Sequence, residues 1–176
     1  GSDDPQTWDW APALQAAIDK AVSYVSQTAV NSAMYGSIKL RLPAGIYPTY
    51  SALTVTKYGG STGSLATSLT IVGDGMTSSI IQPMVDGQTA LIAYNCKINL
   101  VEVGFRAGST NQIGIQLGLK DTWAPVFHCH SSRLGLSGFA LPFRNYLCFD
   151  STNIDCFIQN IAPLNSSADT SVGLSI

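Results

Sequence analysis

Asn99-Leu100-Val101-Glu102-Val103-Gly104-Phe105 and Arg133-Leu134-Gly135-Leu136-Ser137-Gly138-Phe139 follow one pattern: apolar residues alternate with polar or small ones and close on Gly-Phe. Ser68-Leu69-Thr70-Ile71-Val72-Gly73 and Asp155-Cys156-Phe157-Ile158-Gln159-Asn160-Ile161 repeat it more loosely. The offsets are 31 (Gly73 to Gly104), 34 (Gly104 to Gly138) and 22 (Gly138 to Asn160). Irregular spacing of this size suits a β-solenoid, whose coils keep strands in register while the turns take insertions. A sandwich would also contain many short strands. The deciding feature is a small residue or Asn directly after an apolar pair, where the chain must bend sharply while the next coil lies about 4.8 Å away.

Working outward, further strands are expected at Ile38–Leu42, Leu53–Thr56, Leu69–Val72, Ser79–Gln82, Ala90–Tyr94, Ile98–Phe105, Ile113–Leu117, Val126–Cys129, Arg133–Leu136, Tyr146–Phe149, Ile154–Ile158 and Val172–Ile176. One segment has a helical period instead: Leu14, Ala17, Ile18, Ala21, Val22 and Val25 share a face. Asp9 reads as its N-cap and Pro12 is tolerated in the first turn, so the helix is expected from about Trp10 to about Gln27. The division that follows is an expression scar at 1–2, an N-terminal segment with a capping helix at 3–31, and coils over 32–176. The last strand-like pattern stops without a closing element, which suggests truncation at the C-terminus.

Composition agrees. The 176 residues suffice for one domain, and a 45% hydrophobic share supplies a core. Ser, Thr, Asn and Gln number 50 against 20 charged residues, which disfavours a helical bundle with Glu- and Lys-covered faces. A net charge of -2 leaves no basic footprint for nucleic acid. No apolar run is long enough to cross a bilayer and no signal peptide is evident, so a soluble chain is expected. Cys96, Cys129, Cys148 and Cys156 lack the spacing of a metal site or disulfide scaffold and read as free thiols, favouring assembly in a reducing cytoplasm.

The order Asp3-Asp4, Ala13-Leu14-Gln15-Ala16-Ala17-Ile18-Asp19-Lys20-Ala21, Leu40-Arg41-Leu42-Pro43-Ala44-Gly45-Ile46-Tyr47 and Leu69-Thr70-Ile71-Val72-Gly73-Asp74-Gly75-Met76-Thr77-Ser78-Ser79-Ile80-Ile81 resembles the opening of pectate-lyase-like proteins. Bacteriophage tailspikes that depolymerise host polysaccharide often carry it. The resemblance implies an all-β fold, a single-stranded right-handed parallel β-helix with an N-terminal capping α-helix. It also implies a homotrimer in a virion tail, assembled in the host cytoplasm, with a secreted bacterial protein as the alternative source. The physics is compatible: the first coil of a solenoid exposes an apolar cross-section and unpaired edges, and the Leu14/Ile18/Val22/Val25 stripe can cover them. Pro43, Gly45 and Pro48 are expected to form a tight corner around Ile46-Tyr47.

The expected partner is a bacterial surface polysaccharide, capsule or O-antigen. Its cleavage needs two carboxylates across the scissile bond, about 5 Å apart for retention or about 6.5–9.5 Å for inversion, or a base beside a uronate. The catalytic candidates are Asp150, Asp155 and Glu102. Asp150 and Asp155 form the best pair, although Ser151-Thr152-Asn153 between them has turn composition. Asn153-Ile154-Asp155 resembles the Asn-x-Asp element of polygalacturonases, whose other motifs are missing here. Candidate substrate-binding residues are Trp123, Asp121, His128, His130 and Arg133: Trp123 lies in a polar turn, suited to stacking on a sugar ring, and His128 and His130 share a strand face. A third metal ligand is not evident, so neither a metal nor a cofactor is expected. Phe105, Phe139, Phe149 and Phe157 read as stacked core residues. Gly73-Asp74-Gly75 is a turn, since no helix follows it. Two other readings stand beside depolymerisation by hydrolase or lyase chemistry. One is a non-catalytic structural or glycan-adhesion module, favoured by the few paired acids. The other is a secreted polysaccharide lyase, which would need Ca²⁺ or a Lys/Arg base.

Overall fold

The computed structural model describes residues 3–28, 37–56 and 68–159. The expected strand Val172–Ile176 lies outside the described residues. Among the described residues helix α1 (Ala11–Thr28) precedes fourteen strands: β1 (Ser37–Leu42), β2 (Gly45–Thr49), β3 (Leu53–Thr56), β4 (Ser68–Gly73), β5 (Ser79–Pro83), β6 (Thr89–Tyr94), β7 (Cys96–Val101), β8 (Gly104–Arg106), β9 (Ile113–Leu117), β10 (Val126–Ser132), β11 (Gly135–Ser137), β12 (Leu141–Asn145), β13 (Ser151–Ile154) and β14 (Phe157–Gln159). Every third strand is a lateral neighbour. Sheet A has the order β1-β4-β7-β10-β13, sheet B β14-β11-β8-β5-β2 and sheet C β12-β9-β6-β3. All pairings between these strands are parallel. The chain is therefore a parallel β-helix in which three strands make one coil.

Register stacks like on like inside the prism. Leu53, Leu91, Ile115 and Phe143 form one inward column of sheet C, and Val55, Ala93 and Leu117 the next. In sheet B the column is Ile81, Phe105, Leu136 and Ile158. Its three lower members are at most 2% exposed, so each contributes about 2 kcal/mol of apolar burial. The stacked-core reading holds for Phe105 and Phe139, at 1% and 0% exposure. It fails for Phe149 and Phe157, at 57% and 51%. Both alternate with inward neighbours, Cys148 bridging to Val126 and Ile158 pairing with Leu136, so the pleat turns both rings outward.

Helix α1 closes the first coil. Ile18, Ala21 and Val22 are buried against it, with Leu14 packed alongside. The helix also satisfies the edge of the coil. Gln15 donates from Nε2 to the Thr54 carbonyl (2.9 Å) and accepts from the Thr54 N–H at Oε1 (2.8 Å), so its amide imitates a neighbouring strand. The Trp10 N–H does the same for the Pro48 carbonyl, at 2.8 Å. Asp9 caps as expected, with Oδ1 accepting from the Ala11 N–H (3.0 Å) and from the Tyr50 N–H (3.2 Å).

Several expected strands are divided by a corner. Ile98–Phe105, Arg133–Leu136 and Ile154–Ile158 each contain a residue in the left-handed region: Glu102, Arg133 and Asp155, with φ of 53°, 50° and 52°. These three end successive strands of sheet A and turn the chain into sheet B. The lateral partner of Gly104 is Gly135, three residues before the Gly138 suggested by pattern matching. Gly45–Thr49 is itself strand β2, so the corner falls at Pro43-Ala44 rather than around Ile46-Tyr47. Tyr146–Phe149 is a loop with a single bridge, and the strand of that coil is Leu141–Asn145.

Candidate functional site

Strand β10 carries the densest group of candidates. Its ladder places His128 beside Lys97, Cys129 beside Ile98 and His130 beside Asn99. A register shift between Val126 and His128 marks a bulge at Phe127, which brings that ring onto the surface beside the first histidine. Cys129 points inward at 1% exposure, so His128 and His130 project from the same outer face, their rings near-parallel (6°) with centroids 6.5 Å apart.

The next coil completes the group. The Phe149 N–H bonds to the Val126 carbonyl (3.0 Å) and the Cys129 N–H to the Asp150 carbonyl (2.9 Å), locking this loop onto β10. Asp150 Oδ2 thereby lies 2.8 Å from His128 Nδ1. The same docking lays the Phe149 ring over Phe127 at 5.9 Å and 28°, and beside Trp123 at 5.9 Å. Trp123 is 75% exposed. The result is an aromatic shelf of Trp123, Phe149 and Phe127 abutting a hydrogen-bonded carboxylate–imidazole pair and a second imidazole. Asp150 on Nδ1 leaves Nε2 as the ring atom positioned to exchange a proton with a bound molecule. The shelf presents apolar faces of the kind that pack on sugar C–H groups.

The other candidates divide between two places. Asp121 sits exposed in the turn that carries Trp123, in the left-handed region at φ 57°. Glu102, Arg133 and Asp155 occupy the corner at the far end of the sheet A strands, where an ion pair joins Arg133 to Glu102. Asp150 and Asp155 flank β13 at opposite ends, five residues apart along extended chain, or about 16 Å at the usual strand rise. A second pair on this edge, Arg41–Asp74 at 2.9 Å, holds the Asp74 carboxyl below its ordinary range through that hydrogen bond. Among the described residues no group of three or more His, Cys, Asp or Glu could hold a metal ion. Each of Phe127 and Phe149 sits in an apolar run, so the sequence leaves Phe127 unmarked and assigns Phe149 to the core. Only the bulge and the inward turn of Cys148 show that they face out.

The four cysteines are free thiols. Burial pushes Cys129 up to about 12 and raises Cys96, Cys148 and Cys156 as well, so all four stay protonated and chemically quiet near neutrality. No helix among the described residues is long and apolar enough to cross a membrane. The sequence matches no protein-family model, and no solved structure matches the fold closely enough to be significant.

Proposed function

We propose that the chain belongs to a β-helical protein, of the kind found in bacteriophage tailspikes, that binds bacterial capsule or O-antigen on the outer face of sheet A around β10. The observation carrying this reading is the shelf of exposed Trp123 and Phe149 over the half-buried Phe127, beside His128, His130 and Asp150. The backbone hydrogen bond from Phe149 to Val126 fixes the middle ring before binding, which favours an extended ligand that offers the apolar C–H faces of its rings, as a glycan does. In the depolymerase form of the proposal, Asp150 orients His128, and Nε2 of His128 takes or gives the proton at the scissile linkage, in a homotrimeric virion protein.

The non-catalytic alternative draws on one specific feature. Glu102 and Asp155 share a corner with Arg133, and Glu102 is committed to an ion pair, so neither lies beside Asp150 as a second carboxylate. On that reading the same shelf binds glycan without cleaving it.

Calorimetric titration with purified capsule and O-antigen polysaccharides tests binding. The Trp123→Ala/Phe149→Ala double variant should lose about tenfold or more in affinity while melting like the parent chain, because both rings are largely exposed. Unchanged affinity would refute the shelf as the binding surface. Following polymer length by size exclusion with wild type and Asp150→Asn then separates the two forms. Cleavage lost on substitution supports the pair as catalytic, and cleavage retained removes it from the chemistry.

A further inference from the structure

Sheet B faces a different direction from the shelf and carries a concavity of its own. Its outward column reads Ile80, Gly104, Gly135 and Phe157 from coil to coil. Two consecutive glycines leave bare backbone between the Ile80 side chain on one side and the half-exposed Phe157 ring on the other. The neighbouring outward column is polar: Arg106, Ser137 and Gln159 are partners in register, and Arg106 donates to Gln82 Oε1 at 3.2 Å. The turn after β4 forms the opposite wall. A Cβ on Gly104 would stand 2.1 Å from the Met76 carbonyl oxygen, so only glycine there lets this turn lie so close, and a Cβ on Gly135 would make a tight contact with the same oxygen at 3.1 Å. The half-open space between them is about 240 Å³.

The electrostatics of this trough are one-sided. Arg106 has five N–H donors in a planar fork and makes one side-chain hydrogen bond, to a neutral amide. Among the described residues no carboxylate pairs with it: Asp74 is taken by Arg41, Glu102 by Arg133, and Asp150 lies against the His128 imidazole. Among the described residues no acidic side chain lines the trough. A guanidinium with spare donors, an aromatic face and flanking hydroxyl and amide groups in a space below the usual about 300–1,000 Å³ of a ligand pocket suit one ring bearing one carboxylate.

We propose that this trough is a second, separate binding site, for a single carboxylate-bearing sugar residue, with the carboxylate on the Arg106 guanidinium and the ring against Phe157. It stands apart from the β10 shelf, on different strand faces, and does not require that the shelf bind glycan.

The test is a titration of the chain with D-glucuronate, followed by backbone amide NMR shifts, with methyl β-D-glucopyranoside as the neutral probe. Glucuronate should saturate, with shifts centred on Met76–Ile80, Gly104–Arg106, Gly135–Ser137 and Phe157, and the neutral sugar should bind at least about tenfold more weakly. Arg106→Gln should remove that preference, and Phe157→Ala should weaken glucuronate while keeping it; both are surface changes, and an unaltered amide spectrum elsewhere verifies folding. The Trp123→Ala/Phe149→Ala variant should bind glucuronate as the parent does, which separates failure of this site from failure of the shelf. Absence of saturation, equal binding of the two sugars, or full glucuronate affinity in Arg106→Gln would each overturn the proposal.

Discussion

Replacing Gln112 by leucine tests how successive coils are tied together. Gln112 is 0% exposed and stands between three coils. Its Oε1 accepts from the Gly108 and Ser109 N–H groups (3.0 and 3.1 Å), and its Nε2 donates to the Pro83 and Val85 carbonyls (3.1 and 2.6 Å). Its backbone carbonyl accepts from the Ala140 N–H at 3.0 Å, a contact that leucine would retain. Gly108 N–H also reaches the Pro83 carbonyl, and the Val85 carbonyl also accepts from Gln88, so those groups keep a partner. At about 1 kcal/mol net per hydrogen bond the loss is about 4 kcal/mol, and the better burial of leucine returns about 1. A net cost of about 3 kcal/mol in a chain of this size lowers the melting temperature by about 6–12 °C. Differential scanning calorimetry measures it. A Gln112→Leu variant melting within about 1 °C of the parent would refute the account of this amide as the tie between coils.

Gly104→Ala drives a methyl group into the Met76 carbonyl, so the turn after β4 must move; a cost of about 2–3 kcal/mol in urea unfolding is expected, against near-neutrality for Gly87→Asn at an open turn with φ 69°. The thiols predict an alkaline limit. Cys129 has a folded pKa of about 12 against an ordinary 9.0, so between those values the unfolded chain releases its proton while the folded chain keeps it. Stability is therefore intact below about pH 9 and falls as pH rises, by up to about 1.4 kcal/mol per unit for each such thiol, and Cys129→Ala should flatten that decline in urea titrations at about pH 8 to 11. Native-state labelling with a thiol reagent should reach the half-buried Cys148 and Cys156 well before Cys96 and Cys129, and equal rates would contradict the inward placement.

Local pattern went far toward the architecture, because alternation and helical periodicity are properties of short segments. The face containing Ile18, Ala21 and Val22 was evident from spacing alone, and so were the strands around Leu69–Val72 and Ile113–Leu117. What pattern missed were the corners at Glu102, Arg133 and Asp155. Two of these are long charged residues in the left-handed region, a conformation with no propensity signal, held by the coils on either side. Outward aromatics were missed for a related reason: a phenylalanine in an apolar run looks the same whether the pleat turns it in or out.

The sequence by itself determined a chain of short alternating strands under one amphipathic helix, and named His128, His130, Asp150 and Trp123 as residues worth placing. Only the tertiary structure decided which of them meet. In a parallel coil, lateral neighbours are separated by a full circuit, 29 residues from Leu69 to Ile98 and 22 from Cys129 to Ser151, and each turn insertion resets the count. Register is chosen by the fit of whole inward columns, so the meeting of Phe149 with Trp123, of Asp150 with His128, and of two glycines beneath Met76 follows from core packing rather than from any local signal.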